Sequence, residues 1–385
     1  MIFTKNEAKK GLLKCVRCGK CRAICPVFAV TGFETYTARG KNIVMEQALE
    51  DKIPLDDPDL KKLIFACAQC QACEEFCPSG TKTQHLIAFF RKELHRNQIG
   101  PLEEHKAVID DILNHESIFG SQRSNYPSNL PKFRNFTPSA ETAFFSGCTT
   151  LQDSSRVINR LTLMDLCYNK PFRILEDQEP CCGGILDMYG CEDDFIEVAQ
   201  RNIARFEEQG IKKLIVSCPF CFTTIKDTYP EIGVNHSIEV SLLLEYIAEY
   251  IEKHKSQLKE YNTKVTYHDG CHLGRYPNKK YQELPRQIIK AIPGIEFIEM
   301  PKTGRETSCC GGPIRIPFLE LRSNMSDTIC ESAEDLDVEK IITSCPTCRI
   351  NIDAANLYDV EIVDVYDLLV FLLEDSRDER FEKID

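Results

Sequence analysis

The sequence lacks long apolar runs. Its longest stretch without a charged residue is twelve residues, 214–225, whereas a helix that spans a bilayer needs about 20 apolar residues. The first ten residues also lack the apolar core that a signal peptide requires. We therefore expect a cytoplasmic protein, or one that a partner subunit holds at the periphery of a membrane.

Positive charge is also in short supply. The 385 residues include 47 lysines and arginines against 59 aspartates and glutamates, which gives a formal net charge of −12. Because phosphate contacts need a basic surface, this balance argues against a nucleic-acid partner. The sequence contains neither G-x-G-x-x-G nor G-x-x-x-x-G-K-[ST], so we expect no flavin, nicotinamide or nucleotide site on this chain.

Cysteine, by contrast, is abundant, with 21 residues in the chain. A secreted disulfide scaffold would be short and would carry a signal sequence, and an odd number of cysteines does not suit complete pairing. In a reducing compartment, so many thiols are typical of metal ligands. The length of the chain predicts two or three domains.

Eight cysteines form two copies of one run, C-x2-C-x2-C-x3-C-P, with each position in the second copy 52 residues after its counterpart. In this bacterial ferredoxin run, three thiolates hold one [4Fe–4S] cube and the fourth reaches the other cube. Two four-thiolate zinc sites or buried free thiols are the alternatives, but four thiolates in one run crowd a single tetrahedral ion. We assign cluster 1 to Cys15, Cys18, Cys21 and Cys77, and cluster 2 to Cys67, Cys70, Cys73 and Cys25.

Residues 1–100 are predicted to be a helical, ferredoxin-like domain. Apolar residues at helical intervals predict helices over 38–49 and 83–95, and Asp57-Pro58 is a helix start for a segment that runs to residue 64. Periodicity then fades and prolines fall among Asn and Ser residues. We interpret residues 101–139 as a linker.

Ten further cysteines form a second duplication, with a period of about 125 residues. Each copy has one cysteine, a Cys-Cys-Gly element and a Cys-Pro-x-Cys element. Apolar strands lead into the first and last elements, and helical patterns such as 195–207 and 240–251 lie between strands. This alternation predicts two α/β domains, 140–260 and 261–385, with cysteines at the carboxyl ends of parallel strands. The cysteines are Cys148, Cys181, Cys182, Cys218 and Cys221, then Cys271, Cys309, Cys310, Cys345 and Cys348.

Adjacent cysteines favour a multinuclear centre, because neighbouring side chains diverge and rarely bind one tetrahedral ion together. Glycines after each pair allow the backbone to turn tightly around a cluster. A vicinal disulfide, a zinc knuckle and inert buried thiols remain alternatives. An iron–sulfur site accounts for all five thiols in each copy.

The doubled arrangement, placed after two ferredoxin runs, resembles the CCG-domain iron–sulfur family over residues 15–348. It is most similar to the catalytic subunit of heterodisulfide reductase, in the form that fuses two otherwise separate subunits into one chain. It is also similar to the iron–sulfur subunits of glycolate or lactate oxidase and of anaerobic glycerol-3-phosphate dehydrogenase. The resemblance implies a multidomain α+β protein in which an N-terminal domain with two [4Fe–4S] cubanes precedes two CCG domains.

Further expectations follow from this resemblance. The ten CCG cysteines would hold two noncubane [4Fe–4S] clusters, which in heterodisulfide reductase bind and cleave the coenzyme M–coenzyme B disulfide. One departure is Gly270, where the family usually has proline before the cysteine. The alternative is an electron-transfer subunit of a flavin-linked glycolate, lactate or glycerol-3-phosphate dehydrogenase. Either function needs a partner that supplies electrons, which would be a flavoprotein or a cytochrome b-type protein of the membrane.

An anionic disulfide would need local positive charge, since the chain as a whole is acidic. Arg275, Arg315 and Arg349 lie near the cysteines of the second repeat, so we expect the more anionic half of the substrate there. Surface ion pairs are the alternative role for these arginines. His272 follows Cys271 and could donate a proton or hydrogen-bond the cluster.

Three cysteines and one apolar segment lie outside these motifs. Cys167 and Cys330 occur in helical patterns and are interpreted as buried small apolar residues, and Cys191 has no assigned role. The segment 365–373 has helical apolar spacing, which favours a helix that faces the core over one that docks on a membrane protein.

Overall fold

The computed structural model describes residues 4–122, 126–127 and 130–373. In its N-terminal part the regular structure is helical. The helices start at ordinary signals: Asp57 accepts hydrogen bonds from the backbone N–H groups of Asp59 and Leu60, both at 2.9 Å, just before Pro58 opens a helix. The helices are α1 Lys5–Leu13, α2 Pro26–Thr31, α3 Ala38–Leu49, α4 Pro58–Phe65, α5 Ala72–Glu75, α6 Thr83–Arg96 and α7 Glu103–His115.

The first repeat alternates strands and helices. Its elements are β1 Thr142–Phe145, α8 Ser154–Leu163, β2 Arg173–Ile174, α9 Gly184–Tyr189, α10 Glu192–Glu208, β3 Lys213–Val216, α11 Pro219–Thr223, α12 Tyr229–Glu231, β4 Glu239–Leu242 and α13 Leu243–Lys253. Single π-helical turns, Met164–Tyr168 and Thr224–Thr228, extend α8 and α11.

The second repeat follows the same plan. Its elements are β5 Lys264–His268, α14 Cys271–Gly274, α15 Lys280–Lys290, β6 Glu296–Phe297, α16 Leu319–Glu334, β7 Lys340–Thr343, α17 Pro346–Asp353, β8 Glu361–Asp364 and α18 Val365–Leu372.

Each repeat contains one four-stranded parallel sheet. The strand orders are β2-β1-β3-β4 and β6-β5-β7-β8, so the two sheets have the same topology. The central strands are almost wholly buried, because helices cover both faces of a parallel sheet. In register, Phe144 faces Ile215 in the first sheet and Tyr267 faces Ile342 in the second. The predicted duplication is therefore a duplication of fold as well as of sequence.

The two repeats exchange helix contacts. Helix α13, which ends the first repeat, packs on α15 of the second, and α18, which ends the second repeat, packs on α8 of the first. In α18, Val365, Leu368, Leu369 and Leu372 are all buried. The segment 365–373 thus faces the core, as its spacing predicts. The contacts are reciprocal, and they hold the carboxyl ends of the two sheets toward each other.

Two parts of the chain differ from expectation. The predicted linker 101–139 contains helix α7, and Val108, Ile109 and Ile112 of this helix join the core of the first repeat. The predicted helix 240–251 begins later, because residues 239–242 form β4, which pairs with β3 in the sheet. Pairing of the first residues of that segment with a strand overrides their helical spacing.

Arg91 of α6 joins the N-terminal part to the first repeat. It is 1% exposed, and its Nη2 donates to the carbonyl oxygens of Ile64, Phe65 and Cys67 at 2.9, 3.1 and 2.7 Å. Its Nη1 donates to the carbonyl oxygen of Met188 in α9 at 2.5 Å. Arg91 therefore links α6 and the segment that ends at Cys67, both in the N-terminal part, to α9 of the first repeat. No helix within the described ranges is long and apolar enough to cross a membrane.

Candidate functional site

The cysteines of the two N-terminal runs meet in crossed groups. One cavity of about 30 Å³ has Cys15, Cys18, Cys21 and Cys77 in its lining, and a second of about 30 Å³ has Cys25, Cys67, Cys70 and Cys73. Cys73 also reaches the first cavity. The fourth cysteine of each run thus lies with the first three of the other run.

The two runs share one backbone conformation. Arg17 and Gly19 have φ of 56° and 82°, and Gln69 and Gln71, at the matching positions, have φ of 49° and 64°. Left-handed residues alternating with ordinary ones turn successive N–H groups toward one centre, which suits an anionic group. Backbone N–H groups also donate to the thiol sulfurs of Cys21, Cys67 and Cys77 at 3.3–3.4 Å. The donor set and the backbone both fit an iron–sulfur cluster in each cavity.

All ten cysteines of the two repeats line one shared cavity of about 110 Å³. Cys148 follows β1 and Cys271 follows β5, at the carboxyl ends of central strands. Cys218 and Cys345 each immediately precede the proline that opens a helix, with Cys221 and Cys348 in its first turn. The parallel sheets therefore deliver their cysteines to one place, as ligand sites of such sheets usually are.

The glycine of each Cys-Cys-Gly element adopts a left-handed conformation. Gly183 has φ of 69° and Gly311 has φ of 76°. A Cβ atom at Gly183 would lie 2.8 Å from Cγ1 of Val198, and one at Gly311 would lie 3.0 Å from the Cα atom of Arg322. Both the backbone angle and the space exclude a side chain here. The turn directs the preceding cysteine pair into the cavity.

The thiols of each repeat interact with one another. Hydrogen bonds from Cys181 and Cys221 lower the pKa of Cys182 well below its usual value. In the second repeat, hydrogen bonds from Cys309 and Cys348 lower the pKa of Cys310 in the same way. The second cysteine of each adjacent pair is thus disposed to be a thiolate, which is the form that binds metal. The arrangement fits a thiolate-rich multinuclear centre in each repeat.

The N-terminal part touches the second repeat through its thiols. A hydrogen bond with Cys309 lowers the pKa of Cys70 to about 6, and hydrogen bonds with neighbouring thiols raise the pKa of Cys309. Around this contact, Val27, Met325 and Ile314 form a small apolar cluster in which Cys25 and Cys271 also pack. The second N-terminal cavity therefore borders the second CCG repeat.

A larger cleft of about 700 Å³ opens beside this junction. The N-terminal part, the first repeat and the second repeat all contribute to its walls. Cys70, Cys271, His272 and Arg275 lie along it. Cys271 and His272 also line the shared cavity of the ten cysteines, so the cleft leads to the thiols.

The arginines that the sequence indicates have different surroundings. Arg275 is 4% exposed and donates to the carbonyl oxygen of Thr307, while its Nε and Nη1 have no hydrogen-bond partner among the described residues. Arg315 lines the cavity of the ten cysteines. Arg349 instead forms an ion pair with Asp353 at 3.1 Å and lines neither the cavity nor the cleft.

His272 bridges the two repeats. Its Nδ1 lies 3.0 Å from Oγ1 of Thr223, and its ring centroid is 4.6 Å from that of Phe220. Burial lowers the pKa of His272 to about 4. With its cysteines free, the site holds this imidazole neutral at pH 7.

Two carboxylates that sequence reasoning missed hold the cysteine loops. Glu179 is 1% exposed and accepts hydrogen bonds from the backbone N–H groups of Ser146 and Gly147 at 3.0 and 2.6 Å, next to Cys148. In the second repeat, Asp269 is 2% exposed and accepts from Arg286 at 2.7 and 2.9 Å. Their position within two residues of a cysteine element was the available signal.

The three remaining cysteines lie away from the cavities. Cys330 is 0% exposed and belongs to an apolar cluster of the second repeat. Cys167 is half-buried against the core of the first repeat. Cys191 is 0% exposed at the start of α10.

Comparison with known families agrees with this architecture. The model of the CCG cysteine-rich domain matches residues 142–226 and 265–353, and the model of the 4Fe-4S dicluster domain matches residues 11–81. Together these matches cover both ferredoxin runs and both repeats.

Curated relatives align with most of this chain. The chain is 26% identical to a subunit of the dihydromethanophenazine:CoB–CoM heterodisulfide reductase of Methanosarcina barkeri, over 96% of each chain. It is 28% identical to the probable glycolate oxidase iron–sulfur subunit of Bacillus subtilis, over 90% of this chain and 89% of that one. It is also 28% identical to a subunit of the fumarate reductase (CoM/CoB) of Methanothermobacter marburgensis, over 95% of this chain and 73% of that one.

Among solved structures, a hypothetical protein from Helicobacter pylori has a similar fold, with a TM-score of 0.58 at 12% identity over 95% of this chain and 76% of that one. The family matches indicate an iron–sulfur protein, and the relatives are named as subunits of oxidoreductases. The chain belongs to the CCG-domain iron–sulfur family, with a 4Fe-4S dicluster domain followed by two cysteine-rich domains.

Proposed function

We propose that this chain is the disulfide-reducing subunit of its complex. The reaction would take one small mixed disulfide, two electrons and two protons and release two thiols. The coenzyme M–coenzyme B disulfide named for the Methanosarcina relative is the proposed substrate. Two cubanes in the N-terminal cavities would carry the electrons that a partner supplies, and noncubane clusters in the repeats would supply the iron that holds sulfur.

One observation carries this proposal. The five-cysteine sets of both repeats are complete, and both line the same cavity, which meets an open cleft at Cys271 and His272. A disulfide has two sulfur atoms, and a site with two facing centres suits the cleavage of the bond between them. A protein that only relays electrons does not need a cleft of about 700 Å³ at its thiols.

The contact between Cys70 and Cys309 supports an ordered path. The second N-terminal cavity borders the second repeat, so we propose that electrons pass from cluster 2 to that repeat. Cluster 1, at Cys15, Cys18, Cys21 and Cys77, would be the entry point from the partner, because Cys18 is exposed.

The charge of the cleft supports an anionic substrate group near the second repeat. Arg275 lines the cleft and has two buried guanidinium nitrogens without a partner among the described residues, and Arg315 lies in the adjoining cavity. Asp187 and Asp227 line the cleft on the side of the first repeat. Arg349 is not part of this proposal, because it pairs with Asp353 outside both cavities.

His272 would position the substrate. A neutral imidazole can donate one hydrogen bond to a sulfur atom while its other nitrogen faces Thr223. Its pKa, lowered to about 4 by burial, does not suit a store of protons at pH 7. Protons for the product thiols would therefore enter with water through the open cleft.

A second candidate is the electron-transfer subunit of a flavin-linked glycolate, lactate or glycerol-3-phosphate dehydrogenase. The Bacillus subtilis relative, which matches 90% of this chain, favours it. In that case a flavoprotein would be the electron donor, and no disulfide would bind at the cleft.

The deciding experiment is anaerobic measurement of iron and sulfide, with EPR spectra before and after addition of coenzyme M thiol and of the mixed disulfide. For the reductase we expect about sixteen irons, four for each cluster, and a new paramagnetic signal on thiol addition. Cys309→Ala should abolish that signal, whereas the matched control Cys330→Ala should keep it. About eight irons, or a full set of clusters whose EPR spectrum does not change on thiol addition, would contradict the reductase and support the electron-transfer function.

Substrate charge is tested separately through affinity. Arg275→Gln should weaken binding of an anionic disulfide by about tenfold or more, since a charge-assisted hydrogen bond contributes about 1.5–3 kcal/mol. Arg349→Gln, which changes an arginine of the same repeat outside the cleft, should leave affinity unchanged. Equal affinities in both variants would contradict the proposed role of Arg275.

A further inference from the structure

Three side chains with metal-binding atoms meet at the junction between the N-terminal part and the first repeat. They are His95 in the last turn of α6, Cys191 at the N-cap of α10 and Asp194 in the first turn of α10. One ligand atom from each lies within 4.8 Å of the other two. None of the three lines the cysteine cavity or the cleft.

These groups lack the contacts that usually satisfy polar atoms at an interface. His95 Nδ1 is shielded from solvent and has no hydrogen-bond partner in the described part of the chain. Cys191 is a free thiol with 0% exposure. A buried imidazole nitrogen without a partner costs about 1–3 kcal/mol, and a ligand that this nitrogen binds would remove that cost.

Charged side chains next to these three residues pair with one another rather than with the trio. Glu192, between Cys191 and Asp194 in the sequence, pairs with Lys92 at 3.1 Å and with Arg96 at 2.5 Å. Lys92 also pairs with Asp187 at 3.2 Å. The cations beside the junction are therefore matched with other carboxylates. A deprotonated Cys191 and Asp194 would carry two negative charges, which a divalent cation neutralises.

We propose that His95, Cys191 and Asp194 bind one divalent transition-metal ion, with zinc as the ion that this nitrogen, sulfur and oxygen set suits best. Zinc takes imidazole, thiolate and carboxylate ligands in a tetrahedron, and three protein ligands leave the fourth position for water. The site is separate from the iron–sulfur centres in ligands and in place, and it does not depend on the proposed reaction.

The geometry requires a small adjustment. Ligand atoms around tetrahedral zinc lie about 3.3–3.8 Å apart, so the trio must close by about 1 Å from its present separation of up to 4.8 Å. His95 is only half-buried and sits one residue from the end of α6, which permits that movement.

Binding would release a proton. Burial raises the pKa of the Cys191 thiol to about 12, and burial also raises the pKa of Asp194. A metal must displace the thiol proton at pH 7, so zinc affinity should rise about tenfold per pH unit near neutrality. The bound ion would tie the end of α6 to the start of α10 and so fix the N-terminal part against the first repeat.

Zinc K-edge X-ray absorption on the anaerobic holoprotein tests this site. We expect about one zinc per chain, with one sulfur at about 2.3 Å and two to three nitrogen or oxygen atoms at about 2.0–2.1 Å. Cys191→Ala should reduce zinc at least tenfold, with iron content unchanged. The matched control Cys330→Ala, another buried cysteine outside the cluster motifs, should retain the zinc.

Asp194→Asn provides a second test, because Asp194 is only partly buried and its replacement keeps the shape of the side chain. It should weaken zinc at least tenfold without loss of iron. A zinc environment of three or four sulfurs would mean that zinc has replaced iron in a cysteine cavity, and it would overturn the proposal. So would a holoprotein without zinc that takes up none from a micromolar solution, or equal zinc in Asp194→Asn and the wild type.

Discussion

A buried ion pair between Arg160 and Asp364 joins the two repeats, and its removal should reveal how strongly they are held together. Nη2 of Arg160 lies 2.6 Å from Oδ2 of Asp364, and both side chains are 0% exposed. The guanidinium carbon lies 4.6 Å from the ring centroid of Tyr366, whose hydroxyl donates to the carbonyl oxygen of Ser217 at 3.0 Å. Ser217 precedes Cys218, so this chain of contacts reaches the cysteine cavity.

Asp364→Asn should destabilise the protein by about 3–5 kcal/mol, because it leaves the Arg160 charge buried without its partner. The amide keeps the side-chain oxygen that accepts a hydrogen bond from the N–H of Tyr366 at 2.9 Å, so the cap of α18 survives. Arg160→Met should cost about as much, because the carboxylate is then stranded. The double variant buries no net charge and should cost only about 1–3 kcal/mol.

Thermal unfolding of the anaerobic holoprotein compares the wild type with the two single variants and the double variant. At about 2 °C per kcal/mol for a chain of this size, each single variant should lower Tm by about 6–10 °C and the double variant by about 2–6 °C. Arg349→Met, which breaks the exposed pair with Asp353, should lower Tm by less than about 2 °C. If the two single losses simply add in the double variant, the repeats are not coupled through this pair and the reasoning fails.

Three further predictions concern pH and backbone conformation. Burial lowers the pKa of His105 from its usual 6.5 to about 4, because the folded protein favours the neutral imidazole. The contribution of neutral His105 to stability is therefore complete above pH 6.5 and is lost as the pH falls toward 4. Between pH 7 and pH 5 the free energy of unfolding should fall by about 2 kcal/mol more in the wild type than in His105→Gln. Measurements of Tm against pH test this, and equal slopes for the two proteins would contradict it. Gly190→Ala should lower the free energy of unfolding by about 3 kcal/mol or more, because φ is +85° and a Cβ atom would lie 2.5 Å from a backbone carbon of Arg91. The control Gly210→Ala, with φ of +69° and open space around it, should lower it by only about 1–2 kcal/mol. Similar Tm values for the two variants would contradict the steric argument. Gly270→Pro should keep full iron content, because Gly270 already has a proline-like φ of −63°. A Cβ atom would lie 3.2 Å from Cβ of Cys345, so Tm should fall by no more than about 4 °C. Loss of iron would show that the departure from the family pattern is functional.

The sequence predicts which cysteines group together, because their spacing along the chain is itself chemical information. Four thiolates within eleven residues favour iron–sulfur clusters over single tetrahedral ions, and the duplication in the sequence repeats this pattern at 52 residues. The matching φ values at Arg17 and Gln69 show that equal spacing produced equal loops. Local sequence was also sufficient to predict helices such as 38–49 and 83–95, since an amphipathic period defines one buried face.

Local patterns failed where a distant partner decided the outcome. Val240 has a helical neighbourhood, but it is a strand residue because β3 offers an edge with which it pairs. The segment 101–139 has linker-like composition, yet α7 forms in it because the first repeat buries one face of that helix.

The sequence by itself determined which cysteines group together by run and by repeat, and the duplicated α/β fold, because these depend on residue type and on spacing along the chain. Only the tertiary structure decided which arginine lies at the cleft, that Cys70 touches Cys309, and that His95 meets Cys191 and Asp194. These are contacts between residues far apart in sequence. They arise because α2 packs on α16, α6 packs on α9, and α13 and α18 cross between the repeats. No short-range pattern in the sequence specifies such packing between distant helices.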